Sequence, residues 1–140
     1  MPKLKRVYVA GPWIKGGDAN RLAKYLKSKG YSITSRWLGR IKKNLDPNYD
    51  YSKDRGFSED EGRNQALADI ADIQDSQVVV VLNSAKSEGK VVEQGIALAM
   101  RKPIVVLGRR TNVFQYLGPP RVHIAKTKKQ VLKILKGLNK

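Results

Sequence analysis

Val78-Val79-Val80-Val81-Leu82 is an uninterrupted apolar run, the pattern of a strand buried on both faces of a parallel sheet. Other segments fall into register around it. Lys5–Ala10 alternates in polarity and ends in Ala-Gly-Pro, which predicts a first strand. Asp18 can cap a helix running to about Lys29, with Leu22, Tyr25 and Leu26 facing inward and Gly30 ending it. Tyr31–Arg36 predicts a second, short strand. Residues 38–58 are polar and rich in Asn, Asp, Tyr, Gly and Lys, the profile of a long loop that is either a functional lid or a mobile segment. Ser58-Glu59-Asp60-Glu61 supplies an acidic first turn for a helix to about Ile73. Gln77–Leu82 predicts a third strand, and the following helix ends near Arg101. Pro103–Leu107 predicts a fourth strand. Thr111–Leu117 reads as a short helix stopped by Gly118-Pro119-Pro120, and Arg121–Ala125 as a fifth strand. In the tail 126–140, Val131, Leu132, Ile134, Leu135 and Leu138 keep helical spacing, so it reads as a docked amphipathic helix with a solvated lysine face.

This alternation of strands and helices predicts one α/β domain over residues 1–140. The expected architecture is a flavodoxin-like or Rossmann-like doubly wound sheet of five parallel strands, order 2-1-3-4-5, with helices on both faces. No internal repeat, linker or low-complexity segment interrupts it.

Composition narrows the class. Apolar residues make up 41% of the chain, enough for a single globular core. No apolar run approaches the ~20 residues that span a bilayer, and the first residues lack the apolar stretch of a signal peptide. No membrane role is expected, and the cytoplasm is the expected compartment. Cysteine is absent, which removes disulfides and thiolate metal sites. The net charge is +16, unevenly spread. Nine of the twelve acids fall between Asp46 and Asp75, whereas the tail from Lys126 holds six lysines and no acid. Such a field attracts anions, whether nucleotides, nucleic acid or phospholipid, or it is simply a lysine-rich surface; a nucleotide is the favoured partner, with nucleic acid the weaker candidate.

Candidate chemistry follows the apolar strand directly. Ser87-Glu88-Gly89-Lys90 opens a helix just beyond the carboxyl end of that strand, where open α/β sheets bind ligands. A small residue and a glycine let backbone N–H groups approach an anion there. Glu93 follows, flanked by Val91, Val92, Ile96 and Ala97. A carboxylate in that setting can act as a nucleophile or as an acid/base, or it simply favours the positive end of its helix.

Three segments converge on the carboxyl edge of the expected sheet: Val7–Gly17, Asn64–Ile73 leading to Asp75-Ser76, and Ser87–Ala99 followed by Lys102–Leu107. Together, over roughly Arg6 to Phe114, they resemble the nucleoside 2-deoxyribosyltransferase superfamily. The resemblance implies Glu93 as the nucleophile at the anomeric carbon, Asp69 as proton donor near the base, and Tyr8 as the hydrogen-bond partner that orients Glu93. It also implies a homodimer or higher homo-oligomer, since such sites borrow residues across an interface. Within the superfamily, transferases acting on free nucleosides usually carry an aspartate six residues before the nucleophile. Ser87 stands there, similar to the 2-deoxynucleoside 5-monophosphate N-glycosidases, in which Ser-x-Gly holds the phosphate. Ser87 and Gly89 would take that role, and Ile14-Lys15-Gly16-Gly17 resembles the Ile-Arg-Gly-Gly stretch of the same branch. A hydroxyl, glycine N–H groups and a lysine attract a phosphate that an aspartate would repel.

Further expected substrate contacts are Gly11, Trp13, Trp37 and Asn112. Asn112 is the least defined of these, with Arg109 and Arg110 as alternatives beside it. Ser35-Arg36-Trp37-Leu38 and the long loop after it resemble phage-type members. Trp37 either stacks on a base or anchors the lid; Trp13 is equally ambiguous. Asp72 and Asp75 read as surface or capping residues. His123, the single histidine, reads as a satisfied structural residue. No metal or other cofactor is expected, and no Gly-x-Gly-x-x-Gly or Walker A sequence is present.

The expected activity is cleavage of the N-glycosidic bond of a (deoxy)nucleoside 5-monophosphate through a glycosyl-enzyme, releasing free base. Base exchange on free deoxynucleosides by a 2-deoxyribosyltransferase is the alternative. A non-catalytic nucleotide or nucleic-acid binding or sensor module is the competitor from another class.

Overall fold

The computed structural model describes residues 4–12, 16–44 and 58–139. Its centre is a five-stranded, fully parallel sheet in the order β2-β1-β3-β4-β5. The strands are β1 (Arg6–Ala10), β2 (Ser32–Ile33), β3 (Val78–Leu82), β4 (Ile104–Leu107) and β5 (Val122–Ala125). Every side chain of β3 is buried, as its unbroken apolar run requires of a central strand. It pairs with β1 from Val7↔Val78 to Ala10↔Val81, and with β4 from Val79↔Ile104 to Leu82↔Leu107. The strand order reverses between β1 and β3, which opens a crevice at their carboxyl ends.

Helices α1 (Gly16–Ser28) and α4 (Lys128–Leu138) pack together on one face. Helices α2 (Glu59–Asp75) and α3 (Glu88–Ala99) cover the other. Local signals explain the helix limits. Ser58 caps α2 through a full capping box with Glu61. Ser87 and Thr127 cap α3 and α4 by accepting from backbone N–H groups. Gly30 ends the turn after α1 at φ +97°, a conformation that penalises any side chain. In α4, Val131 and Leu135 are fully buried against the sheet.

Several expectations need correction. Asp18 does not cap α1, which begins two residues earlier; it lies in the first turn and pairs with Arg21. The second strand is only Ser32–Ile33, because the chain then turns into a 3-10 helix over Arg36–Asn44. That helix occupies the start of the expected loop; residues 45–57, most of the rest of it, lie outside the described residues. Asp72 is not a surface residue. It is buried beneath that 3-10 helix and accepts from the Arg36 backbone N–H at 2.9 Å and from Arg36 Nε at 2.8 Å. The capping half of its expected role therefore holds. His123 Nε2 is buried without a hydrogen-bond partner among the described residues; its neighbour across the strand is Val105, which has no side-chain acceptor. Asp75 is exposed and pairs with Arg6 at 3.7 Å, as a surface reading requires.

Candidate active site at the switch point

The crevice between β1 and β3 holds a cavity of about 370 Å³, within the size range of small-molecule sites. Helix α2 forms one wall with Gln65, Ala66, Asp69 and Ile70. Helix α3 forms the other with Gly89, Lys90, Val92, Glu93 and Ile96, and Ser87 caps its mouth. Gly11 lies at the end of β1 and lines the cavity; a Cβ there would make ordinary contacts with Leu82 Cβ at 3.4 Å and Ala19 Cβ at 3.5 Å.

Tyr8 is fully buried on β1, and its hydroxyl donates to Glu93 Oε2. Burial pushes the Glu93 carboxyl up to about 8, with the nearby Asp69 charge acting in the same direction and the Tyr8 hydrogen bond opposing both. Burial and Glu93 raise the Tyr8 phenol strongly, which keeps it a proton-bearing donor. Asp69 is held by Gln65 Nε2 at 2.7 Å, its i−4 neighbour on α2. Burial raises its carboxyl; the Gln65 bond and the Arg40 and Arg36 charges counter part of that. Two carboxyl groups with elevated proton affinity thus face one apolar-walled pocket, an arrangement suited to paired nucleophile and acid roles.

Of the expected site residues, Glu93, Asp69, Gly11, Trp37, Ser87 and Gly89 line one cavity, and Tyr8 reaches it through Glu93. Trp37 combines its two alternatives. Its indole N–H donates to Val9 O at 2.8 Å, anchoring the 3-10 helix, and the same side chain lines the pocket. Ser87 Oγ accepts from the Lys90 backbone N–H at 3.2 Å, leaving its own hydroxyl proton to donate. Gly16 and Gly17 form the start of α1, and Gly17 is not among the described residues that line this cavity. Neither does Asn112, whose Oδ1 caps the short 3-10 helix Val113–Tyr116. Trp13, Ile14 and Lys15 lie outside the described residues.

Lys90 is the residue that sequence reasoning passed over. It is 4% exposed, yet among the described residues its ammonium meets only neutral acceptors, Asn83 Oδ1 at 2.6 Å and Ala85 O at 2.7 Å. Burial lowers its proton affinity. Asn83 continues into a buried amide chain: it donates to Gln115 Oε1 at 3.2 Å, and Gln115 donates to Gln94 Oε1 at 2.8 Å. Gln94 Nε2 closes the chain on Asn112 Oδ1 at 3.4 Å. Asn112 is thus tied to the site through the floor of α3. The spacing of Lys90 and Glu93, one turn apart, puts them on a common helix face and could have signalled the pair.

Among the described residues no group of His, Asp and Glu forms a metal-binding cluster, and no helix is long and apolar enough to cross a membrane.

The fold and the crevice define a parallel α/β domain with a carboxylate–tyrosine pocket at its switch point. Solved structures share that fold across nearly the whole chain. The molybdenum cofactor binding protein of Rippkaea orientalis superimposes with a TM-score of 0.64 at 17% identity, covering 99% of this chain and 98% of that one. The Moco carrier protein of Chlamydomonas reinhardtii gives 0.61 at 19% identity, covering 98% of each. The CMP N-glycosidase BcmB of Clostridium botulinum gives 0.57 at 20% identity, covering 94% of this chain and 98% of that one. No family model and no curated protein matches the sequence.

Proposed function

We propose that this protein cleaves the N-glycosidic bond of a nucleoside 5-monophosphate. The observation that carries the reading is the Tyr8–Glu93 hydrogen bond inside a cavity that Asp69 also lines. The ionised Glu93 carboxylate attacks C1′ of the sugar, and the C1′–N bond breaks as Asp69 gives its proton to the departing base. Water, giving a proton back to Asp69, then attacks C1′; the ester C–O bond breaks and the Glu93 carboxylate is restored. Tyr8 donates to the carboxylate oxygen throughout and fixes its rotamer. The phosphate lies at the start of α3, where Ser87, Gly89 and Lys90 line the cavity. The N-glycosidase among the proteins of this fold supports the same class of reaction. Transfer of the sugar to a second base shares every step up to the ester.

A second reading has its own support. Burial raises the Glu93 carboxyl and favours its neutral form. A largely neutral pocket suits retention of a ligand, as in a carrier, and two proteins of this fold are named as carrying or binding the molybdenum cofactor.

One experiment separates the readings. The protein is incubated with nucleosides and their 5-monophosphates, cytidine forms first, with and without a second free base, and released base is followed by chromatography. Base release from a monophosphate alone, absent in Glu93→Gln, supports hydrolysis. Product formed only with a second base makes the protein a transferase. Binding without turnover favours the carrier.

We further propose that two copies associate. Val91 and Val92 on α3, Leu67 and Ile70 on α2, and Phe114 and Tyr116 beyond β4 are large apolar side chains left exposed, and Ile70 and Val92 line the pocket.

A further inference from the structure

The sheet divides the helices by charge. Helices α1 and α4 carry Arg21, Lys24, Lys27, Lys128, Lys129, Lys133 and Lys136 against one acid, Asp18, which Arg21 already pairs. Helices α2 and α3 carry eight acids against Arg63 and Lys90. The 3-10 helix beside the pocket is basic as well, but the charges of α1 and α4 lie across the sheet from the pocket walls, and substrate capture does not account for them. Tyr25 joins the two basic helices: Lys29 Nζ stands 5.6 Å and Lys128 Nζ 5.8 Å from its ring centre. Lys129, Lys133 and Lys136 line a shallow groove on the outer side of α4, with Leu132 and Gly137 as its floor. Among the described residues none of these lysines is ion-paired.

We propose that the α1/α4 face binds the phosphate backbone of duplex nucleic acid without reading its sequence. The three groove lysines recur at i, i+4 and i+7 and span about 10 Å, a length over which a duplex presents several phosphates. Lysine is a compact point charge that suits phosphates but lacks the planar fork that reads a guanine edge. The face offers no free aromatic platform for single-strand stacking, because Tyr25 is flanked by two ammonium groups. A membrane surface fits less well, since Val131 and Leu135 of α4 are spent on the core and leave no apolar stripe to insert. This inference does not rest on the chemistry of the pocket.

The test is a gel-shift titration with a random-sequence 20-bp duplex at several salt concentrations. Lys129→Glu/Lys133→Glu/Lys136→Glu is compared with Lys86→Glu/Arg101→Glu/Arg121→Glu, which removes the same charge from sites elsewhere on the surface. The groove variant is expected to bind at least tenfold more weakly at 100 mM salt. Its slope of log K against log salt should flatten by about 0.9 for each phosphate that is no longer neutralised. The control is expected to change much less, and both should melt like the parent. Absence of duplex binding at 50 mM salt overturns the proposal, as does an equal loss in the control. Tighter binding to a single strand of the same length, or to phosphatidylserine vesicles, overturns it too.

Discussion

Tyr8 and Glu93 lie 85 residues apart in the chain and share a hydrogen bond at the base of the cavity. The first comes from the innermost pairing of the sheet, the second from the first turns of α3, so the bond fixes that helix against β1. If Glu93 is the nucleophile, Glu93→Gln keeps an acceptor for Tyr8 but loses attack. Base release should fall by at least about 10³-fold while nucleotide binding, read by calorimetry, persists. An active Glu93→Gln protein would remove Glu93 from the mechanism.

Tyr8→Phe tests positioning. The hydroxyl lowers the proton affinity of Glu93, so its loss should push the carboxyl above its present value of about 8. The expected outcome is a kcat reduced about 10- to 100-fold and an activity profile displaced to higher pH. A lower kcat with an unmoved profile would mean that Tyr8 only packs the core.

The pH dependence of activity and of stability should run in opposite directions. Attack needs the carboxylate, so kcat/KM should rise as pH increases through about 8. Stability follows the reverse sign. The folded carboxyl holds its proton up to about 8, whereas the unfolded one releases it near the ordinary value of 4.5. Between those values the native state binds more protons, so stability falls as pH rises. Thermal melts of Glu93→Gln should lack this part of the decline and should exceed wild type more at pH 9 than at pH 5. Parallel melting curves for the two proteins would contradict a buried carboxyl whose proton affinity folding raises.

Much of this was legible in the sequence, for identifiable reasons. The run Val78–Leu82 and the alternation around it give the sheet and its order, because parallel strands and their crossovers leave periodic signatures. Glu93, Asp69, Ser87 and Gly89 meet Gly11 and Trp37 in one cavity because motifs at strand ends are gathered by topology. The 3-10 helix over Arg36–Asn44 was not legible, since it depends on Asp72 and Val9, partners 36 and 28 residues distant. Asn112 reads as a substrate contact in the sequence, but its position is set by Gln94 and Gln115, a buried amide chain with no local pattern. The burial of Lys90 was not legible, because burial of a cation is decided by its acceptors, which lie on the β3–α3 loop.

Association of two copies should depend on the large apolar residues left exposed on the surface. Val92 is 61% and Phe114 55% exposed, costly for a lone domain in water. In sedimentation experiments the parent chain should behave as a dimer, and Val92→Glu/Phe114→Glu as a folded monomer. A monomeric parent retaining full base release would show that the pocket is complete within one chain.

Lys90 sets stability against specificity. Its ammonium is buried with two neutral acceptors and no carboxylate bonded to it among the described residues, so desolvation is only partly compensated. Lys90→Met keeps the length and removes the charge. It leaves Asn83 Oδ1 and Ala85 O without their donor, which costs about 1–3 kcal/mol, but it also removes the larger expense of a buried cation. The melting temperature should therefore stay level or rise. If the same ammonium faces the substrate phosphate, discrimination of a nucleoside 5-monophosphate over its nucleoside should drop at least tenfold in kcat/KM, carried mainly by KM. Lys90→Arg should not restore it, because the broad guanidinium does not fit the space an ammonium takes between Asn83 and Ala85. A Lys90→Met enzyme that still prefers the monophosphate would place the phosphate elsewhere and leave Lys90 as a structural tie between α3 and the β3–α3 loop.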